Sequence, residues 1–236
     1  SKVEVIKKSV NPDTEAITNR RGKTEHAEFT GKSFAGYQAW FGTGTQKTSW
    51  GHYDYGKAEE DGTSWPRKDH ISIDYFPYVK DYDESALAQT GFDNLGSGEP
   101  TKLYDSTNEN VINTHFKWMN QYGIDGAAIQ RFAGTIKGRT LYNDPQDTLL
   151  YKMKTAAENN NSLFYIMYDI SGGDQIKDKT DDTTISSWVE DIKFDWVYNI
   201  EKQLQMTNSD AYATVDGKPV VCLWGTAVSG RPDRVV

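Results

Sequence analysis

Apolar residues recur at helical spacing in three stretches of the chain, and short apolar runs flank each stretch. In the first, Ser106 and Glu109 have the spacing of a capping box; Val111, Ile112, His115, Phe116, Met119 and Tyr122 follow at helix intervals until Gly123. Asp144-Pro145 opens the second, with proline in the first turn and an apolar face of Leu149, Leu150, Met153 and Ala157. The third carries Trp188, Val189, Ile192, Trp196, Val197 and Ile200. Four runs read as strands: Phe34 to Phe41, Gly126 to Phe132, Leu163 to Tyr168, and Val220 to Trp224. The last three are apolar nearly throughout, as strands covered on both faces must be. Strands alternating with helices in this way predict a parallel sheet, so the fold class is α/β.

The order has one long interruption. Residues 42–105 lack helical periodicity and are rich in Gly, Thr, Ser, Asp, Trp and Tyr, which predicts a long loop after the first strand. Residues 1–31 are charged and polar and read as a leader or linker, leaving 32–236 as the domain proper.

Composition narrows the partners. The 236 residues include 7 Trp, 14 Tyr and 9 Phe, a heavy aromatic load that can build a core and still leave rings exposed. A net charge of −8 has the wrong sign for holding a nucleic-acid backbone. No apolar run approaches the roughly 20 residues of a membrane span. Cys222 is the one cysteine; in the run Val220 to Trp224 it reads as a buried thiol. No His, Asp or Glu cluster has metal-ligand spacing, and nothing calls for a cofactor.

Two parallel architectures compete, the (β/α)8 barrel and the doubly wound sheet. Gly42-Thr43-Gly44 lacks the third glycine and the following helix of a dinucleotide fingerprint, and there is no phosphate loop, so the barrel is preferred. It predicts that the four strands pair in chain order. It also predicts chemistry at the strands' carboxyl ends: Gln38 and Trp40 at the first, Gln130 and Arg131 at the second, Tyr168 and Asp169 at the third, Trp224 at the fourth. Arg131 and Asp169 are read either as ligand-facing, with Arg131 holding the Asp169 carboxylate charged, or as a buried pair joining two strands. Trp50 and His52, in the long loop, complete the candidate binding set, while His115, on a helix face with Phe116 and Met119, reads as structural.

Several of these segments carry a resemblance. Gly36-Tyr37-Gln38-Ala39-Trp40-Phe41, Trp50-Gly51-His52-Tyr53, His115 to Met119, Tyr122 to Gly126 and Gln130-Arg131-Phe132 resemble the glycoside hydrolase family 71/99-like proteins. Ile166 to Gly172 and Gly217 to Val221 with Trp224-Gly225 continue it in order. The resemblance implies a (β/α)8 barrel acting on glycans, with endo-acting α-mannosidases among the relatives and mannan-like substrates. About four β/α units are present, as in the first half of a barrel. The relatives' catalytic carboxylates belong to a Glu-rich segment near a late strand, which has no counterpart here; Glu99 and Asp174 are ordinary loop residues, and the catalytic pair is unassigned. The expectation is therefore the sugar-binding half of a glycoside hydrolase cleft, with a non-catalytic carbohydrate-binding protein as the alternative. The open edges of a half-barrel invite cover by the leader, by further chain or by pairing with another chain. An exported location, secreted, periplasmic or at the cell surface, goes with a glycan substrate.

Overall fold

The structure, a computed structural model, describes residues 27–43, 50–54, 65–136, 144–170 and 189–225. Most of the 1–31 leader, Asp174 and Trp188 lie outside them. The chain divides into two compact units, one formed by Ser1–Gln38 with Met119–Val236, the other by Ala39–Trp118.

The first unit is built on a parallel sheet of four strands: β1 (Phe34–Tyr37), β4 (Gly126–Phe132), β5 (Leu163–Asp169) and β8 (Val221–Trp224). They lie side by side in chain order, β1-β4-β5-β8, and every pair is parallel. A doubly wound sheet reverses its order at a switch point; this sheet does not, and consecutive order is that of successive barrel strands. The fold is α/β, of partial (β/α)8 type.

Helix α2 (Asp144–Asn159) links β4 to β5, and α3 (residues 189–203) lies between β5 and β8. Leu150, Met153 and Ala157 of α2 are buried, as their spacing requires. The second part of α3, Asp195–Gln203, is wound as a π-helix, and Leu204 N–H closes it on Asn199 O at 2.8 Å. Between α3 and β8, a short hairpin pairs β6 (Thr214–Val215) with β7 (Lys218–Pro219). Its two-residue loop has Asp216 at φ 48° and Gly217 at φ 72°, the left-handed pair that matches the twist of a tight hairpin. Gly126 opens β4 for a different reason: a Cβ there would stand 2.1 Å from Leu163 O, so only a hydrogen fits against the neighbouring strand.

Phe29 gives the described end of the leader a firm place. Its N–H donates to Thr214 O at 2.8 Å, and its ring stacks on Phe34 at 5.1 Å and meets Tyr165 edge-on at 5.6 Å. On the outer strand β8, Val221 is 44% and Trp224 47% exposed.

The second unit corrects the reading of 42–105 as wholly irregular. It holds an antiparallel pair, β2 (Leu87–Gln89) with β3 (Lys102–Tyr104), in register from Leu87↔Tyr104 to Gln89↔Lys102. Three-residue strands are too short to show a period in sequence. Trp50, Tyr53, Trp65, Ala88 and Leu103 form a core of their own there. Helix α1 (Glu109–Gln121) follows. Its cap is Asn108, whose Oδ1 accepts from Asn110 N–H at 2.9 Å, two residues on from the expected Ser106. Ser106 Oγ accepts from Phe41 N–H instead, at 3.1 Å.

Candidate functional site

Successive residues of a strand point to opposite faces, and this period decides what the polar ends of β4 and β5 can do. The register pairs Gln130 with Met167, Arg131 with Tyr168, and Phe132 with Asp169. Arg131 and Tyr168 thus share one face, and Gln130 and Asp169 share the other.

Arg131 and Tyr168 face the helices. Arg131 Nε and Nη2 fork onto Asp195 of α3 at 2.7 and 2.5 Å, and Nη2 also reaches Asp147 of α2 at 2.9 Å. Tyr168 OH and Asn199 Nδ2 each donate to Asp195 at 2.7 Å. Four donors saturate the Asp195 carboxylate, and all five side chains are buried. Burial alone would lower the Arg131 pKa, but the hydrogen bonds and charge of Asp195, with the charge of Asp147, carry it above its ordinary value. Burial and the Asp195 charge raise Tyr168 well above 10, so its hydroxyl stays a donor. The expected Arg131–Asp169 partnership is therefore corrected. Arg131 holds two helices to the sheet, and its carboxylates are residues that sequence reading passed over. Their signal was position: Asp147 stands on the buried stripe of α2, three residues before Leu150, and Asp195 and Asn199 on that of α3 beside Ile192 and Ile200.

The opposite face carries the candidate site. Gln130 Nε2 donates to Asp169 Oδ2; Gln130 is 9% exposed and Asp169 4%. Trp224 is in register with Asp169 at the end of β8, and its ring is exposed. Gly36 of β1 is in register with Ala128, and the Gln38 amide reaches back over it, with Nε2 3.8 Å from where a Cβ would stand. Gln38, Gln130, Asp169 and Trp224 are thus four of the expected residues at the carboxyl ends of the strands on one face. Asp169 is the sole carboxylate that β1, β4, β5 and β8 contribute. Cys222, on the same face, is half-buried, and burial pushes its thiol up.

The remaining expected residues belong to the second unit. Trp40, 39% exposed, stacks on His52 with ring centroids 4.0 Å apart and 19° between planes. His52 holds φ 62°, a left-handed backbone uncommon outside glycine, and burial lowers its pKa. Trp40 is thus an exposed aromatic plate backed by a half-buried His52. Trp50 is placed otherwise, in the core with Tyr53. His115 Nε2 and Tyr82 OH share a hydrogen bond of 2.7 Å inside an aromatic cluster, and burial lowers the imidazole pKa to about 4, which keeps the ring neutral at pH 7. Among the described residues no group of three or more His, Cys, Asp or Glu is placed to hold a metal, and no helix is long and apolar enough to cross a membrane.

The class defined by these features is a run of consecutive parallel β/α units with a polar cluster at the carboxyl ends of the strands. Comparison with solved structures finds the GH99 endo-alpha-mannosidase from Bacteroides thetaiotaomicron, at 14% identity and a TM-score of 0.45, over 82% of this chain and 45% of that one. The same enzyme in complex with BIS-TRIS-propane aligns at 12% identity and a TM-score of 0.43, over 82% of this chain and 42% of that one. The chain spans less than half the length of those structures. No protein-family model and no curated protein matches the sequence.

Proposed function

We propose that this chain is the sugar-binding half of a (β/α)8 barrel, belonging in its intact form to a glycoside hydrolase that acts on mannan-like glycans. The observation that carries the reading is the Gln130–Asp169 pair, set at the carboxyl ends of adjacent strands on the face turned away from the helices. A carboxamide joined to a carboxylate suits hydrogen bonding to sugar hydroxyls, and the exposed Trp224 ring beside it suits the apolar face of a sugar. Asp169 then serves in binding, or in stabilising positive charge at a reacting sugar carbon; a general acid would have to keep its proton. The resemblance of several sequence segments to the family 71/99-like proteins supports the same substrate class.

A non-catalytic glycan-binding protein is the second reading. It is favoured by one observation: hydrolysis uses two carboxyl groups in most glycosidases, and the four strands bring one to this face. Calorimetric titration with α-mannan oligosaccharides, with a reducing-sugar assay on the full-length protein, separates the two. Binding with turnover supports the hydrolase, binding without turnover the binding protein, and no binding refutes both. The same reading puts the protein outside the cytoplasm, and fractionation of the producing cells tests that.

A further inference from the structure

The Gln130–Asp169 pair leaves one polar atom over. Gln130 Nε2 donates to Asp169, whereas Gln130 Oε1 is buried and accepts no hydrogen bond among the described residues. A carboxamide can turn over and exchange its oxygen for its nitrogen. Here that would set Oε1 against a carboxylate, and two acceptors repel. Asp169 therefore fixes the amide with one N–H committed to the carboxylate and its oxygen unused. Buried acceptors in folded proteins nearly always have a partner, so one held without a donor marks where a donor arrives.

We propose that this point of the site reads a ligand hydroxyl strictly as a hydrogen-bond donor, with Gln130 Oε1 as the acceptor and Asp169 as the residue that fixes it. The inference rests on the glycan reading above and sharpens its specificity. The sugar recognised here presents a free O–H. Analogues in which fluorine or methoxy replaces that hydroxyl can only accept, so they are rejected as firmly as the deoxy sugar. A site with a freely turning amide would behave differently, since it would offer NH2 to fluorine and tolerate the exchange. A buried polar group left unpaired by the wrong ligand is a strong basis for discrimination.

The test uses methyl α-mannobioside and its monodeoxy and monodeoxyfluoro analogues, position by position, against the wild-type chain and Asp169→Asn. At one hydroxyl position, both replacements are expected to weaken binding by about tenfold or more. In Asp169→Asn the neighbouring amide can donate as well as accept, so Gln130 can turn, and the fluoro analogue should recover relative to the deoxy one. Side-chain amide NMR of the free wild-type protein should show a Gln130 Nε2 proton that exchanges slowly with solvent. A bound parent sugar whose fluoro analogues bind equally well at every position overturns this inference alone, as does a fast-exchanging Gln130 amide. A parent sugar that does not bind removes the glycan reading and this inference with it. The analogue panel and the exchange measurement need no variant, so a misfolded Asp169→Asn leaves both decisive.

Discussion

Replacing Arg131 with methionine separates the structural network from the binding site. Methionine keeps much of the stem volume and removes the guanidinium. Asp195 would keep Tyr168 and Asn199 but lose both teeth of the arginine fork, and Asp147 would lose its cation, with both carboxylates still buried. Removing one partner of a buried ion pair costs about 3–5 kcal/mol, because the charge left behind is uncompensated. Against a typical stability of about 5–15 kcal/mol, that is roughly a fifth of the total or more. At roughly 2–4 °C per kcal/mol for a chain of this size, Tm should fall by about 6–20 °C. Urea unfolding followed by circular dichroism should show a lower midpoint with an unchanged slope. Arg131→Lys, which keeps charge but cannot make the fork, should lie between the two. The reasoning fails if Arg131→Met melts within about 2 °C of wild type. Loss of glycan binding in such a stable variant would return Arg131 to the ligand-facing role that sequence suggested.

Asp169→Asn should do the reverse, weakening mannan-oligosaccharide binding by about tenfold, or 1.4 kcal/mol, with Tm close to wild type; early unfolding with intact affinity would make Asp169 structural. Gly126→Ala should be strongly destabilising, since the new Cβ meets the Leu163 backbone of the neighbouring strand, while Gly96→Ala, with nothing within 4 Å, should be nearly neutral; equal melting temperatures would refute the close approach. His115 binds its proton more weakly folded, at about pH 4, than unfolded, at its ordinary 6.5, so acid favours the unfolded chain. Its contribution is full above pH 6.5 and is lost as pH falls towards 4, by about 3 kcal/mol at most. His115→Gln should flatten that part of the stability–pH curve, and an unchanged slope would show that another group titrates there.

The neighbours Gln130 and Arg131 show where reading the sequence reached and where it stopped. Both were visible as polar residues closing an apolar strand. Their separation was also implicit, since alternation sends adjacent side chains to opposite faces whatever the partners are. The same rule divides Tyr168 from Asp169. Pairing Arg131 with Asp169 ignored it; the register, Arg131↔Tyr168, enforces it. Asp147 and Asp195 were legible only as charges at unexpected places on apolar stripes, because nothing local says which distant cation will meet them.

Local chemistry determined the elements themselves. Apolar runs demanded strands, buried in β4 and β5 though exposed in β8, Asp144-Pro145 and Gly123 bounded helices, and Asp216-Gly217 turned a hairpin, because propensity, periodicity and left-handed backbone act over a few residues. The α/β order, and with it a parallel sheet, followed from the alternation of those elements, and the strand order β1-β4-β5-β8 is set by the structure. Tertiary structure alone decided which charges neutralise each other, that Trp50 is core while Trp40 is an exposed plate, and that Gln130 rather than Arg131 accompanies Asp169. Those outcomes depend on contacts between residues far apart in the chain, which arise only when strand register and helix packing bring particular atoms within a few ångströms.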